Sequence, residues 1–300
     1  MKFSTFFLLL LFALTQTQCS PDKAANNESQ PISSKNKTSD SKEIEKPPLL
    51  ISYHILAIDS ASKVLLLKLK GTDSIATILA LNRIDFRHLL QQDSIIIPDT
   101  FISDIMAYAP FPLKLDFLKD IKKLILFSYP IQAFASYENG ILTRWGPNSM
   151  GKKSTPTPTG LFHTNWRSKK AISTFDEEWI MEWYFNLENK LGVSMHQYDL
   201  PGYPASHACI RLTKEDAFWF YNWAESWKLL SNTQIGAYGT PVIIYGNYNF
   251  GSIKPWLKLE SDKNAINITS EELEKEISPF METILMRQTE RDSLNLQQLQ

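Results

Sequence analysis

Between Ser20 and Pro47 the chain carries only two large apolar side chains, Ile32 and Ile44, scattered among Ser, Lys, Asn, Asp and Glu, and the stretch closes on Pro47-Pro48. A segment of that make-up cannot bury enough surface to offset its ordering entropy. Any folded core is therefore confined to the chain beyond Pro48, and residues 20–47 are expected to form a disordered tether. Ahead of it, Met1-Lys2-Phe3 leads into an apolar run from Phe6 to Leu14 and then to Cys19. That run is shorter than the ~20 residues a spanning helix needs and has the length of a signal-peptide core. Residues 1–19 are expected to be a signal peptide, and the chain an exported, periplasmic one.

Cysteine at the end of such a leader resembles the lipobox of bacterial lipoproteins. The resemblance implies lipidation of Cys19 and a membrane partner through that anchor. The sequence has only two cysteines, so with Cys19 acylated or removed, Cys209 is left as a lone thiol in an oxidising compartment. A lone exported thiol is either inert and buried or reactive, and its neighbours decide. The 31 basic and 32 acidic side chains leave a formal charge of -1, a balance that offers nothing to nucleic acid.

Residues 48–112 alternate short apolar runs with polar breaks, as expected of a small α+β module. Ile78-Leu79-Ala80-Leu81-Asn82-Arg83-Ile84 followed by Asp93-Ser94-Ile95-Ile96-Ile97-Pro98 resembles the later half of a LysM carbohydrate-binding module. That likeness makes glycan strands an expected partner, beside the plain alternative of a packing domain. Across residues 118–247 the pattern is mainly β. Leu124–Phe127, Gln132–Tyr137, Ile141–Trp145 and Pro241–Tyr245 read as strands, and Glu138-Asn139-Gly140 as a hairpin turn. Thr213, an acidic first turn and apolar residues at 217, 218, 221, 224 and 227 predict one helix. The fold class expected is a β-sandwich-like domain with a packed helix. Residues 251–300 should form a helical C-terminal extension, starting from the capping-box pattern Thr269-Ser270-Glu271-Glu272 and interrupted at Pro279.

Around Cys209 stand His207, His196 and Arg211. A cysteine nucleophile needs a base or cation to favour its thiolate, and acyl transfer needs donors for an oxyanion. Three other readings of these segments are weaker. Zinc lacks a paired ligand motif, so no metal or other cofactor is expected. Gly146–Lys152 misses the Ser or Thr of a phosphate-binding loop and reads as a flexible hairpin. Trp219, Trp223 and Trp227 sit at helical spacing, which favours core packing over a sugar platform.

Thr157-Pro158-Thr159-Gly160-Leu161-Phe162, Gly192–His196, Tyr203–Leu212 and Gly239-Thr240-Pro241-Val242 together resemble the L,D-transpeptidase (YkuD) family. The resemblance implies a β-rich domain acting on peptidoglycan stem peptides, with Cys209 as nucleophile and His196 as general base. It implies an oxyanion turn at His207, Ala208 and Cys209, with Arg211 orienting the loop or a substrate carboxylate and Ser206 bonding within it. The reaction implied forms a thioester on Cys209 and passes the acyl group to an amine, giving a 3-3 cross-link or a protein-to-wall linkage. The alternatives are an L,D-carboxypeptidase and an inactive peptidoglycan-binding lipoprotein. Position 208 is Ala where the family usually has Gly, which at positive φ would carry about 1 kcal/mol of strain.

Overall fold

The computed structural model describes residues 51–172, 180–232 and 234–297. The expected signal peptide, Cys19 and the tether lie outside the described residues. Contacts divide the chain after Pro47, and Pro48–Gln300 is one unit.

That unit begins with an antiparallel pair, β1 (Tyr53–Ala57) and β2 (Ser94–Pro98), enclosing helices α1 (Ser60–Lys68), α2 (Asp73–Asn82) and α3 (Phe86–Leu89). Each helix starts on a side-chain cap from Asp59, Thr72 or Asp85, which satisfies an N–H left over at the first turn. The buried Asn82 amide ties α2 to β2. It donates to Ile78 O and Ile96 O and accepts from Ile96 N.

The main body is a nine-stranded sheet, the largest among the described residues. It uses β3 (Leu124–Ser128), β4 (Ala133–Glu138), β5 (Ile141–Ser149), β6 (Gly160–His163), β7 (Arg167–Ile172), β8 (Ile180–Glu188), β9 (Val193–Gln197), β10 (Ile210–Leu212) and β13 (Pro241–Tyr245). Helix α4 (Lys214–Trp223) and the short strands β11 (Lys228–Leu229) and β12 (Ile235–Ala237) lie between β10 and β13. The strand order is β6-β13-β3-β4-β5-β10-β9-β8-β7. The two edge strands, β6 and β7, are separated in the chain only by Thr164-Asn165-Trp166, so the sheet must curl until its edges nearly meet. Inside the curl, Ile125, Phe127 and Phe134 from one half meet Phe185, Val193, Met195 and Ile210 from the other, with Phe220 of α4 between them. The opposite face of β3 and β4 presents Leu124, Leu126, Ala133 and Ala135 to a second core with Trp256, Leu273 and Ile277. A strand covered on both faces reads as an unbroken apolar run, as Leu124–Phe127 does.

Asn139 and Gly140 both take positive φ, the backbone a two-residue hairpin demands, and form the expected β4–β5 turn. Two other expectations fail. Gly146–Ser149, read as a flexible hairpin, is buried strand inside β5. Helix α4 ends at Trp223, so Trp227 is not helical. Beyond it the backbone is claimed by another segment: Glu225 N bonds Thr240 Oγ1, and Glu225 O accepts from Thr240 N and Thr164 Oγ1.

At the C-terminus, the capping box between Thr269 and Glu272 starts α5 (Ser270–Ile277). A 3-10 turn at Ser278–Phe280, holding Pro279, separates it from α6 (Met281–Gln297). Leu273, Ile277 and Ile284 enter the second core, and Arg291 donates to Ser226 O and Tyr238 O.

Candidate active site

Strand β9 places alternate side chains on opposite faces. Val193 and Met195 enter the core, so Ser194 and His196 point to the other face. Strand β10 runs parallel to β9 with Arg211 opposite His196, and Cys209 immediately precedes it. A cleft of about 230 Å³ opens over this face, lined among others by Cys209, His196, His207, Arg211, Ser206 and Tyr184. Five of the six residues singled out around Cys209 thus converge on one cavity; Ala208 contributes its backbone to the turn instead.

The turn carrying Cys209 is held from two sides. Ser206 Oγ donates to Cys209 O, closing it internally, while Ser206 N bonds Met150 O and Ser206 O accepts from Lys152 N and Thr155 Oγ1. Gly151 lies so close to Thr155 and Thr157 that a Cβ there would meet backbone atoms at 2.2 and 2.4 Å. The turn reverses at Ala208, whose φ of 79° lies in the left-handed region. This is the strained conformation anticipated if the position needed positive φ.

Cys209 Sγ has two hydrogen-bond partners. Ser194 Oγ donates to it at 3.1 Å, and the thiol faces Gly192 O at 3.4 Å. His196 lies in the same cleft but makes no hydrogen bond to the sulfur. Its Nδ1 is 2.9 Å from Gln197 O; a carbonyl only accepts, so Nδ1 carries the proton and the lone pair is on Nε2. Burial, with a smaller contribution from Arg211, pulls the His196 pKa down to about 4. Burial also pushes the Cys209 thiol up, against Ser194 and Arg211, which pull it down. At neutral pH the resting pair is therefore thiol and neutral imidazole. His207 is held low by burial and by Lys152 and Arg211, and Lys152 Nζ donates to its Nε2 at 2.9 Å. The Arg211 guanidinium lies 4.6 Å over the Tyr198 ring.

Residues 122–244 match the family model of the L,D-transpeptidase catalytic domain, YkuD. The chain carries a YkuD catalytic domain. Among curated proteins none matches the sequence. Among solved structures it is similar to an L,D-transpeptidase from Mycobacterium smegmatis, at 22% identity over 42% of this chain and 59% of that one, with a TM-score of 0.33. It is similar also to L,D-transpeptidase (Yku) from Stackebrandtia nassauensis, at 18% identity over 42% of this chain and 57% of that one, TM-score 0.35. L,D-transpeptidase 3 from Mycobacterium tuberculosis gives 20% identity over 42% and 61%, TM-score 0.32. The chain spans about three fifths of the length of these structures, and the family assignment rests on the sequence match.

Within the YkuD domain, three contacts went unread in the sequence. Ser194 touches the thiol, Tyr184 stacks on His196 with ring centroids 6.2 Å apart, and Lys152 reaches His207. Ser194 was open to inference, because it stands two residues from His196 on a strand and so shares its face. Tyr184 and Lys152 reach the site from distant segments, and their spacing along the chain carries no such signal. Among the described residues, no group of three His, Cys, Asp or Glu is arranged to hold a metal ion.

Proposed function

We propose that the protein is a peptidoglycan L,D-transpeptidase that forms a thioester on Cys209 with a stem peptide and transfers it to an amine. The observation that carries this reading is the shared cleft, lined by both the Cys209 thiol and His196, whose unprotonated nitrogen is Nε2. As Sγ attacks the carbonyl carbon that precedes the D-alanine, the thiol proton passes to Nε2 of His196. The C–N bond then breaks, His196 returns that proton to the leaving amine, and the acyl group stays on sulfur. An acceptor amine reverses the sequence with a new nucleophile, giving a 3-3 cross-link or a protein-to-wall bond; water in its place gives a carboxypeptidase product.

Backbone N–H groups of the 207–209 turn are assigned to the oxyanion, and Arg211 to the loop or a substrate carboxylate. The lowered His196 pKa supports its part, since the imidazole is ready to accept a proton at any pH above about 4. The apolar leader and Cys19 support the same reading, in which the domain is lipid-anchored in the periplasm with its substrate, and glycan strands are assigned to the β-α-β module of residues 48–112.

Intact-mass analysis after incubation with a tetrapeptide stem or a carbapenem tests the reading. Wild type should gain one acyl adduct and Cys209→Ala none. An adduct that survives Cys209→Ala defeats the nucleophile assignment, and folded wild type without any adduct favours a protein that only binds the wall.

A further inference from the structure

Beside the thiol lie buried polar side chains that the proposed reaction has not used. Asn165 Nδ2 donates to Asn186 Oδ1 at 2.9 Å, and Asn186 Nδ2 to the Tyr184 hydroxyl at 3.4 Å. Tyr184 lines the cleft with Ser194, whose Oγ donates to Cys209 Sγ at 3.1 Å. A serine hydroxyl has one proton, and here it is donated to the sulfur. All four supporting side chains are buried, Ser194 completely and Asn165, the most exposed, at 8%. Such burial limits competition from water for these bonds.

We propose that Ser194 is a further catalytic residue of this site, a donor that holds the sulfur anion as it forms. The inference rests on Cys209 being the nucleophile. In the step concerned, the S–H bond breaks, an N–H bond forms on His196 Nε2, and Ser194 keeps its own proton throughout. Its hydroxyl meets a neutral thiol before the transfer and a thiolate after it, and a hydrogen bond to an ionised acceptor is the stronger of the two. The stabilisation therefore appears as the charge develops. The other titratable and charged groups of the cleft are His196 on β9, Arg211 on β10, His207 in the turn, Tyr184 on β8 and Tyr198 after β9, with Lys152 of the β5–β6 loop bonded to His207. None of them is a hydrogen-bond partner of Sγ; Ser194 is.

The test is the pH dependence of Cys209 alkylation by iodoacetamide in the full chain, which reads thiolate directly and needs no turnover. Ser194→Ala should slow alkylation at pH 8 by about tenfold and move its midpoint up by about one pH unit, the size expected for one hydrogen bond to a charged group. Ser194→Thr, which keeps the hydroxyl, should restore most of the rate. A Ser194→Ala protein that is folded and alkylates with the wild-type profile overturns the proposal. So does a folded Ser194→Thr as slow as the alanine variant, which would point to packing instead. Should Ser194→Ala not fold, Ser194→Val, which matches the shape of the threonine variant without its hydroxyl, carries the test, and a wild-type profile there overturns the proposal. A Ser194-dependent profile in a protein that never acylates would keep this inference and sink the transpeptidase reading. Acylation with no Ser194 dependence would do the reverse.

Discussion

His196 and His163 are buried to the same extent, each 5% exposed, and both are held far below the ordinary histidine pKa, at about 4 and about 3. Burial is the main cause in both, and each has an arginine nearby that adds to the shift, Arg211 for one and Arg287 for the other. What separates them is the use left to the ring. His196 spends Nδ1 on Gln197 O and keeps the Nε2 lone pair in a cleft that also holds a thiol. His163, on the edge strand β6, has Arg287 of α6 at 3.0 Å from Nδ1 and 3.4 Å from Nε2, and Tyr238 beside it with ring centroids 5.0 Å apart. Its lone pair is occupied by the helix that lies over it. A depressed histidine marks a site only when a nitrogen remains available to a reacting group; otherwise it marks a packed interface.

The largest effect that could break this contrast is on acylation. His196→Gln should cut the rate of carbapenem adduct formation by roughly 10²- to 10⁴-fold, the usual worth of a placed general base. His163→Gln should leave that rate within about twofold, because its ring faces α6 and not the cleft. Comparable losses in both would mean that the two rings are coupled through the fold. Stability should treat them alike. Each folded pKa lies below the unfolded value of ~6.5, so the unfolded chain takes up protons first as pH falls. The stability that both contribute is intact above pH 6.5, declines through pH 5, and is lost by about pH 4 for His196 and about pH 3 for His163. Denaturant midpoints recorded at pH 7, 5 and 4 should fall less steeply in either glutamine variant than in wild type. Parallel curves for wild type and variants would show that neither ring is neutral because of burial.

The sequence carried one of these histidines and was silent on the other, for a physical reason. His196 announces itself through neighbours in the chain: Ser194 by strand alternation, and Cys209 through a short connection that β9 and β10 close by pairing in parallel. Everything that defines His163 comes from far away, since Arg287 is 124 residues distant and reaches it only after α6 docks. The same divide runs through the fold. Local signals placed the Asn139-Gly140 hairpin, the Thr213 and Thr269 caps and the break at Pro279. They failed at Gly146–Ser149, where pairing with β4 and β10 turns a glycine- and proline-containing stretch into buried strand. They failed again after Trp223, where helical spacing continues but Thr240 takes the backbone of Glu225. Gly239 permits that approach, since a Cβ there would lie 1.9 Å from Thr164 O.

The contrast extends to the backbone. Ala208, in the turn that carries Cys209, has a positive φ of 79°, whereas no non-glycine residue described in β6 or α6 has one. The turn beside the thiol thus holds strain in its main chain, and the elements around His163 do not. Ala208→Gly tests how much. Glycine removes the Cβ clash, worth about 1–2 kcal/mol, but returns freedom to the unfolded chain, worth about 0.4–1 kcal/mol. The net expectation is a gain of about 0.5–1 kcal/mol, seen as a higher denaturant midpoint. A midpoint that falls would show that Ala208 sits comfortably at 79° and that the turn is held by its hydrogen bonds alone. If the midpoint rises while acylation slows, the alanine methyl group is restricting the turn in the geometry the oxyanion needs. If both rise, the strain at Ala208 serves no part of the reaction, and the difference between the two sides of the molecule is confined to their side chains.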